Sequence, residues 1–247
     1  MQRALVEAVL ATGTPAILVL VTGRPYAVAW ALERCAAVVQ AFFPGEEGAQ
    51  AIAGVLSGRV NPSGRLPVTL PRSAGAQPYS YLHPPLGGPT TVSNLPTGPA
   101  LPFGHGLSYT TYEHTDLRVD GTVAAGGSFV ASVRVANTGS RAGSDVVQLY
   151  ARDVVASITR PTAQLLGYRR LALAAGESAV VHFTVPTTRL AFSDRSLVRV
   201  VEPGDIELWV GPTCEARETE AALRITGPVH RVTVDDDRWI TTEVQPA

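Results

Sequence analysis

Ten of the nineteen prolines in this 247-residue chain fall between Pro62 and Pro102. Proline fixes φ at roughly −65° and removes a backbone donor, so this stretch excludes regular helix and central strand. Residues 73–111 therefore read as an irregular connection between two halves of different pattern. Hydrophobic residues make up 45% of the chain and charged residues 17%. That is enough apolar matter for a packed core in each half.

Residues 1–72 alternate helix and strand signals. Gln2–Ala11 carries Leu5, Val6, Val9 and Leu10 at helical spacing before Thr12-Gly13. Ala16–Val21 and Ala36–Phe42 are apolar runs of strand length, the pattern of parallel strands buried on both faces. A helix opens at Gly45-Glu46-Glu47, presents Ala49, Ile52, Ala53 and Leu56 on one side, and ends at Gly58. Its two carboxylates are expected in the first turn, beside the free amides. Two strands are too few for a complete doubly wound sheet.

After the connection the period changes to two. Phe129, Ala131, Val133 and Val135 alternate with more polar neighbours, as do Ala179, Val181, Phe183 and Val185, and Ile206, Leu208 and Val210. With Thr115–Val119, Asp145–Arg152, Gln164–Leu171 and Leu197–Val201 this makes about seven short strands in residues 112–226, the signature of an immunoglobulin-like sandwich. Residues 227–247 form a tail with room for edge strands.

The chemistry the residues exclude is as informative. Net charge is −1 and all 20 basic residues are arginine, so there is no bulk attraction to nucleic acid or membrane and no Schiff-base lysine. Cys35 and Cys214 are too few for a disulfide framework and are expected as buried free thiols. His83, His105, His114, His182 and His230 lack metal-ligand spacing, and Asp235-Asp236-Asp237 reads as a solvated turn. No nucleophile elbow or dinucleotide fingerprint is present. The first 112 residues hold no aspartate and only Glu7, Glu33, Glu46 and Glu47, so no complete active site is legible and no cofactor is implied. Glu7 interrupts the N-terminal apolar stretch, which argues against an export signal and sets the expected location as cytoplasmic.

Four segments recur in a recognisable order: Thr22-Gly23-Arg24-Pro25, Phe43-Pro44-Gly45-Glu46-Glu47-Gly48, Asn61-Pro62-Ser63-Gly64-Arg65-Leu66-Pro67 and Pro102-Phe103-Gly104-His105-Gly106-Leu107-Ser108-Tyr109. Together with Ala136-Asn137-Thr138-Gly139 and Val146-Val147-Gln148-Leu149-Tyr150, they resemble the C-terminal portion of the family 3 glycoside hydrolases, the β-glucosidase and β-xylosidase family. The connection is most similar to bacterial β-xylosidase-like members. The resemblance implies a partial α/β sandwich, an incomplete parallel sheet with helices, in residues 1–72. A fibronectin type III-like β-sandwich is implied in residues 112–226.

The family's reaction is retaining hydrolysis of a terminal β-linked xylose or glucose from an oligosaccharide or β-glycoside. Its aspartate nucleophile belongs to an N-terminal barrel and its acid/base to a segment upstream of the first helix here, so no catalytic residue is carried over. The chain is expected to be inactive without that barrel half. The competing reading is a non-catalytic carbohydrate-binding or protein-docking module, but Trp30, Trp209 and Trp239 are scattered rather than aligned. In the connection, Tyr79, Tyr81 and His83 are the candidate substrate-binding residues, set to reach the leaving-group side of the intact pocket. The plainer role for them is packing the two halves together. Gly104 and Gly106, flanking His105, are expected where backbones approach closely.

Overall fold

The computed structural model describes residues 1–76, 80–85 and 98–247. Helix α1 (Gln2–Ala11) buries none of its residues. It stops where the Thr12 hydroxyl donates to the Val9 carbonyl at 2.7 Å and Gly13 takes φ +79°. Strands β1 (Ile17–Leu20) and β2 (Ala37–Gln40) pair in parallel, joined by α2 (Ala29–Arg34), and α3 (Gly48–Leu56) follows. The short α2 was not foreseen, because six residues do not fill an amphipathic repeat.

The strands are not buried on both faces. Leu18 and Leu20 of β1 pack on Val28, Ala31 and Leu70, while Ile17 is 52% exposed and Val21 57%. Val19, Val38 and Val39 are only partly buried. The carboxylates of Glu46 and Glu47 do not sit in the first turn of α3 either. The helix begins one residue later, at Gly48, and Glu47 makes no side-chain cap bond. Gly45 at φ +73° turns the chain, and the Pro44 ring occupies the space a Cβ at Gly48 would need. Cys35 is only half-buried; Cys214 is buried.

The second half is a β-sandwich. One sheet runs β4-β12-β11-β6-β7 and the other β14-β8-β5-β3. In chain order these are β3 (Tyr112–Val119), β4 (Thr122–Ala124), β5 (Ser128–Asn137), β6 (Gly143–Asp153), β7 (Gln164–Leu173) and β8 (Ser178–Pro186). After the short pair β9 (Phe192–Ser193) and β10 (Arg199–Val201) come β11 (Gly204–Val210), β12 (Thr219–Thr226), β13 (His230–Arg231) and β14 (Thr241–Pro246). β13, β10 and β9 form a small third sheet.

Val133, Val135, Val147, Leu149, Val181, Phe183 and Leu208 are fully buried between the two large sheets. Each such side chain contributes roughly 1.5–3 kcal/mol. The expected strand at Leu197 starts later, because the Asp194 carboxylate accepts from the amides of Ser196 and Val198 and holds Leu197 in a turn at φ +61°. The tail is integral: β14 pairs with β8 from Thr241 to Pro246.

The two ends of the proline-rich connection zip together at its base. The Leu66 amide donates to the His105 carbonyl at 2.8 Å, Gly104 to Leu66 at 2.9 Å and Leu70 to Leu101 at 2.9 Å. This base lies on the sandwich. A Cβ at Gly106 would strike the Gly64 carbonyl, so only glycine allows that crossing; one at Gly104, at φ +87°, would come within 2.5 Å of Gln148 Oε1. Among the described residues no helix is long and apolar enough to cross a membrane.

Candidate functional site

The carboxylates of the first half do not converge. Glu7 accepts from Arg3 on the surface of α1 at 2.8 Å, Glu33 is exposed on α2, and Glu46 and Glu47 are exposed side by side ahead of α3. Among the described residues no group of three His, Cys, Asp or Glu side chains is placed to hold a metal ion.

The candidate residues of the connection have distinct surroundings. Tyr79 lies outside the described residues. Tyr81 stacks on Phe103 with ring centroids 4.2 Å apart, and its hydroxyl accepts from the Leu165 amide at 3.3 Å. Burial raises its pKa. His83 donates from Nδ1 to the Pro84 carbonyl at 2.9 Å, because a carbonyl oxygen can only accept. Its own carbonyl accepts from the Thr162 amide at 3.1 Å. Tyr81 packs against Tyr150, Ala163, Trp209 and Cys214, a cluster on the outer face of the five-stranded sheet.

A cavity of about 670 Å³ opens here, with Tyr81, His83, Thr162, Arg72, Arg152 and Arg217 in its walls. Arg217 lies 4.2 Å over the Trp209 ring and pairs with Glu207 at 3.2 Å and Glu220 at 3.0 Å; Arg152 reaches Glu207 at 3.8 Å. Arg72 donates to the Pro99 carbonyl at 3.0 Å. Among the described residues the buried Trp209 Nε1 finds no hydrogen-bond partner. The walls thus combine aromatic surface and hydrogen-bonding groups with three guanidinium groups and one carboxylate, Glu215.

The tightest polar cluster lies at the other end of the connection's base. Arg65 Nη2 donates to Asp145 Oδ1 at 2.5 Å, His114 Nε2 lies 2.8 Å from Asp145 Oδ2, and His114 Nδ1 lies 2.5 Å from Glu218 Oε2. The Asp145 side chain is 2% exposed and that of His114 3%. Burial alone would lower the imidazole pKa; the hydrogen bonds and charges of Asp145 and Glu218 overcome it and push it up to about 9. Burial alone would raise Asp145, but His114 and then Arg65 hold it below the usual carboxylate range.

Sequence reasoning missed this cluster. Asp145 falls on the same alternating row as Val147 and Leu149, the inward face of β6. A lone carboxylate on an inward row demands a buried cation, and that signal was available. The identity of the cation was not, since His114 and Arg65 lie 31 and 80 positions from Asp145.

Comparison with known proteins agrees with these two halves. The family model described as the glycosyl hydrolase family 3 C-terminal domain matches residues 1–109, and that of the fibronectin type III-like domain matches residues 145–214. A periplasmic beta-glucosidase of Salmonella typhimurium is 39% identical over 221 residues, covering 85% of this chain and 29% of that protein. A beta-xylosidase of Formosa agariphila is 38% identical over 219 residues, covering 87% of this chain and 30% of the relative. The crystal structure of a beta-glucosidase from Listeria innocua in complex with glucose superposes with a TM-score of 0.85 at 32% identity, over 92% of this chain and 33% of that one. This chain therefore spans about a third of the length of the relatives it matches.

Proposed function

As a C-terminal family 3 domain joined to a fibronectin type III-like domain, this chain belongs to the family 3 glycoside hydrolases, and we propose that it serves as the C-terminal portion of a retaining β-glycosidase. The intact enzyme releases terminal β-linked xylose or glucose, and the 247-residue chain hydrolyses nothing by itself. The observation that carries the reading is the small sheet: two parallel strands, none of whose residues is fully buried, in a chain that spans about a third of the length of its relatives. Retaining hydrolysis needs two carboxyl groups about 5–5.5 Å apart, one as nucleophile and one as acid/base. The glutamates of the first half lie on α1 (Glu7), on α2 (Glu33) and as the exposed neighbours Glu46 and Glu47 ahead of α3. In this reading the upstream barrel and sheet strands bring both groups.

Tyr81 and His83 line the leaving-group side of the intact pocket. The cavity in whose walls they stand supports this, since it offers aromatic surface and hydrogen-bonding side chains to sugar hydroxyls. The test is a fusion of this chain behind the barrel and upstream α/β segment of a family 3 enzyme. The fusion should hydrolyse aryl β-xylosides or β-glucosides, and a folded but inactive fusion contradicts the assignment. Within it, His83→Ala and Tyr81→Ala should change the ratio of kcat/KM between aryl and disaccharide substrates. A large loss of melting temperature with unchanged preference would leave these residues only a packing role.

A further inference from the structure

The buried cluster at the seam has no part in the proposed reaction, yet it is the most heavily charged interior site among the described residues. Its members come from four places: Arg65 from the connection's base, Asp145 from β6, His114 from β3 and Glu218 from the turn before β12. Their charges alternate in sign, and the chain of four sums to zero when the imidazole is protonated. Among the described residues, Arg65–Asp145 is the ion pair that joins the first half to the sandwich. Bonds to uncharged acceptors surround it: Asn61 Nδ2 donates to the Ala142 carbonyl at 3.2 Å, Arg170 to the Ser63 hydroxyl at 3.0 Å, and Arg141 to the Gly58 carbonyl. We propose that Arg65, Asp145, His114 and Glu218 form a charge latch that holds the α/β half in a fixed orientation on the sandwich and that rests on Arg65 alone for its cation when His114 loses its proton.

The physical reason is the bonding capacity of imidazole. Only the protonated ring donates from both nitrogens. A neutral ring can serve one carboxylate, and its other nitrogen presents a lone pair to the second. Glu218, 38% exposed, leaves for water first, while Asp145 stays and keeps one bond. Asp145 then depends on Arg65 for its remaining charge compensation, in a site where an unpaired charge is strongly disfavoured. The other titratable groups nearby do not replace the proton. Burial, then Arg65, lowers the pKa of His105, and burial raises that of Tyr112, so both are neutral where His114 titrates.

The experiment is an NMR pH titration of the full 247-residue chain, with hydrogen exchange at pH 7. In the wild type the Leu66 and His105 amides should shift with the same midpoint as the His114 ring. Glu218→Gln should lower that midpoint, because it removes an anion that favours the imidazolium. Arg65→Gln should uncouple the seam amides from the ring and raise their exchange rates at least ten-fold, with β5 and β8 unchanged. Seam amides that stay flat through the His114 transition would overturn the proposal. So would an Arg65→Gln chain whose seam exchange stays within two-fold of wild type. Arg65 lies outside the sandwich, so its variant stays informative even where Asp145→Asn fails to fold.

Discussion

The two halves of this chain use their apolar residues in opposite ways. In the sandwich, strands of nine to eleven residues close two sheets on a core in which Val133, Val181, Phe183 and Leu208 expose nothing. In the α/β half, α1 buries no residue and Leu5 and Ile17 are more than half exposed. The first pattern is a finished layer structure; the second is one layer awaiting its partners. Apolar runs in sequence therefore report what a segment is built to bury, and not what it buries in a given chain.

The sharpest way to break this contrast is to separate the halves. Residues 112–247 expressed alone should melt cooperatively, whereas residues 1–72 should aggregate or show no cooperative transition by calorimetry. A monomeric, cooperatively melting 1–72 fragment would put the two halves on equal terms. The end point at 247 matters, because stopping at 226 removes β14 and leaves the β8 edge open.

A smaller effect comes from paired substitutions. Phe183→Ala, at a fully buried position, should cost about 3–5 kcal/mol in urea unfolding. Leu5→Ala, at 68% exposure, should change stability by less than about 0.5 kcal/mol. Equal costs would mean that α1 is packed after all.

The pH dependence sharpens the contrast further, since its main source lies at the seam. The folded-state pKa of His114 is about 9 against 6.5 for the free group. Its contribution is thus complete below pH 6.5 and is lost as the pH rises through 9. Asp145, with a lowered pKa, adds stability above the usual carboxylate range that is lost on acidification. The alkaline loss should be on the order of 3 kcal/mol, measured by urea titrations at pH 6 and pH 10, and His114→Gln should flatten it.

Much of the sandwich was legible because its inward rows repeat every second residue without interruption, as in Phe129 to Val135. The tail was legible only as room for an edge strand, and the pairing of β14 with β8 was not, since Thr241, Glu243 and Gln245 give it a polar face. The glycine-rich corners at Gly104 and Gly106 were legible from composition, and close packing there is the physical reason for them. The seam cluster was not, because its partners come from distant parts of the chain and only the fold brings them together. Tyr81 and His83 could be picked out as unusual for a spacer, but their stacking and hydrogen bonds depend on where β7 and Thr162 lie.

The central claim is that an unfinished sheet means an unfinished active site. It is tested most directly by assaying the purified 247-residue chain against aryl β-xyloside and β-glucoside, before and after repurification on a second column. The account predicts no hydrolysis above the uncatalysed rate, because no covalent glycosyl intermediate can form without the upstream nucleophile. Turnover at the rate of an intact glycosidase, retained through repurification and copurifying with this chain alone, would contradict it.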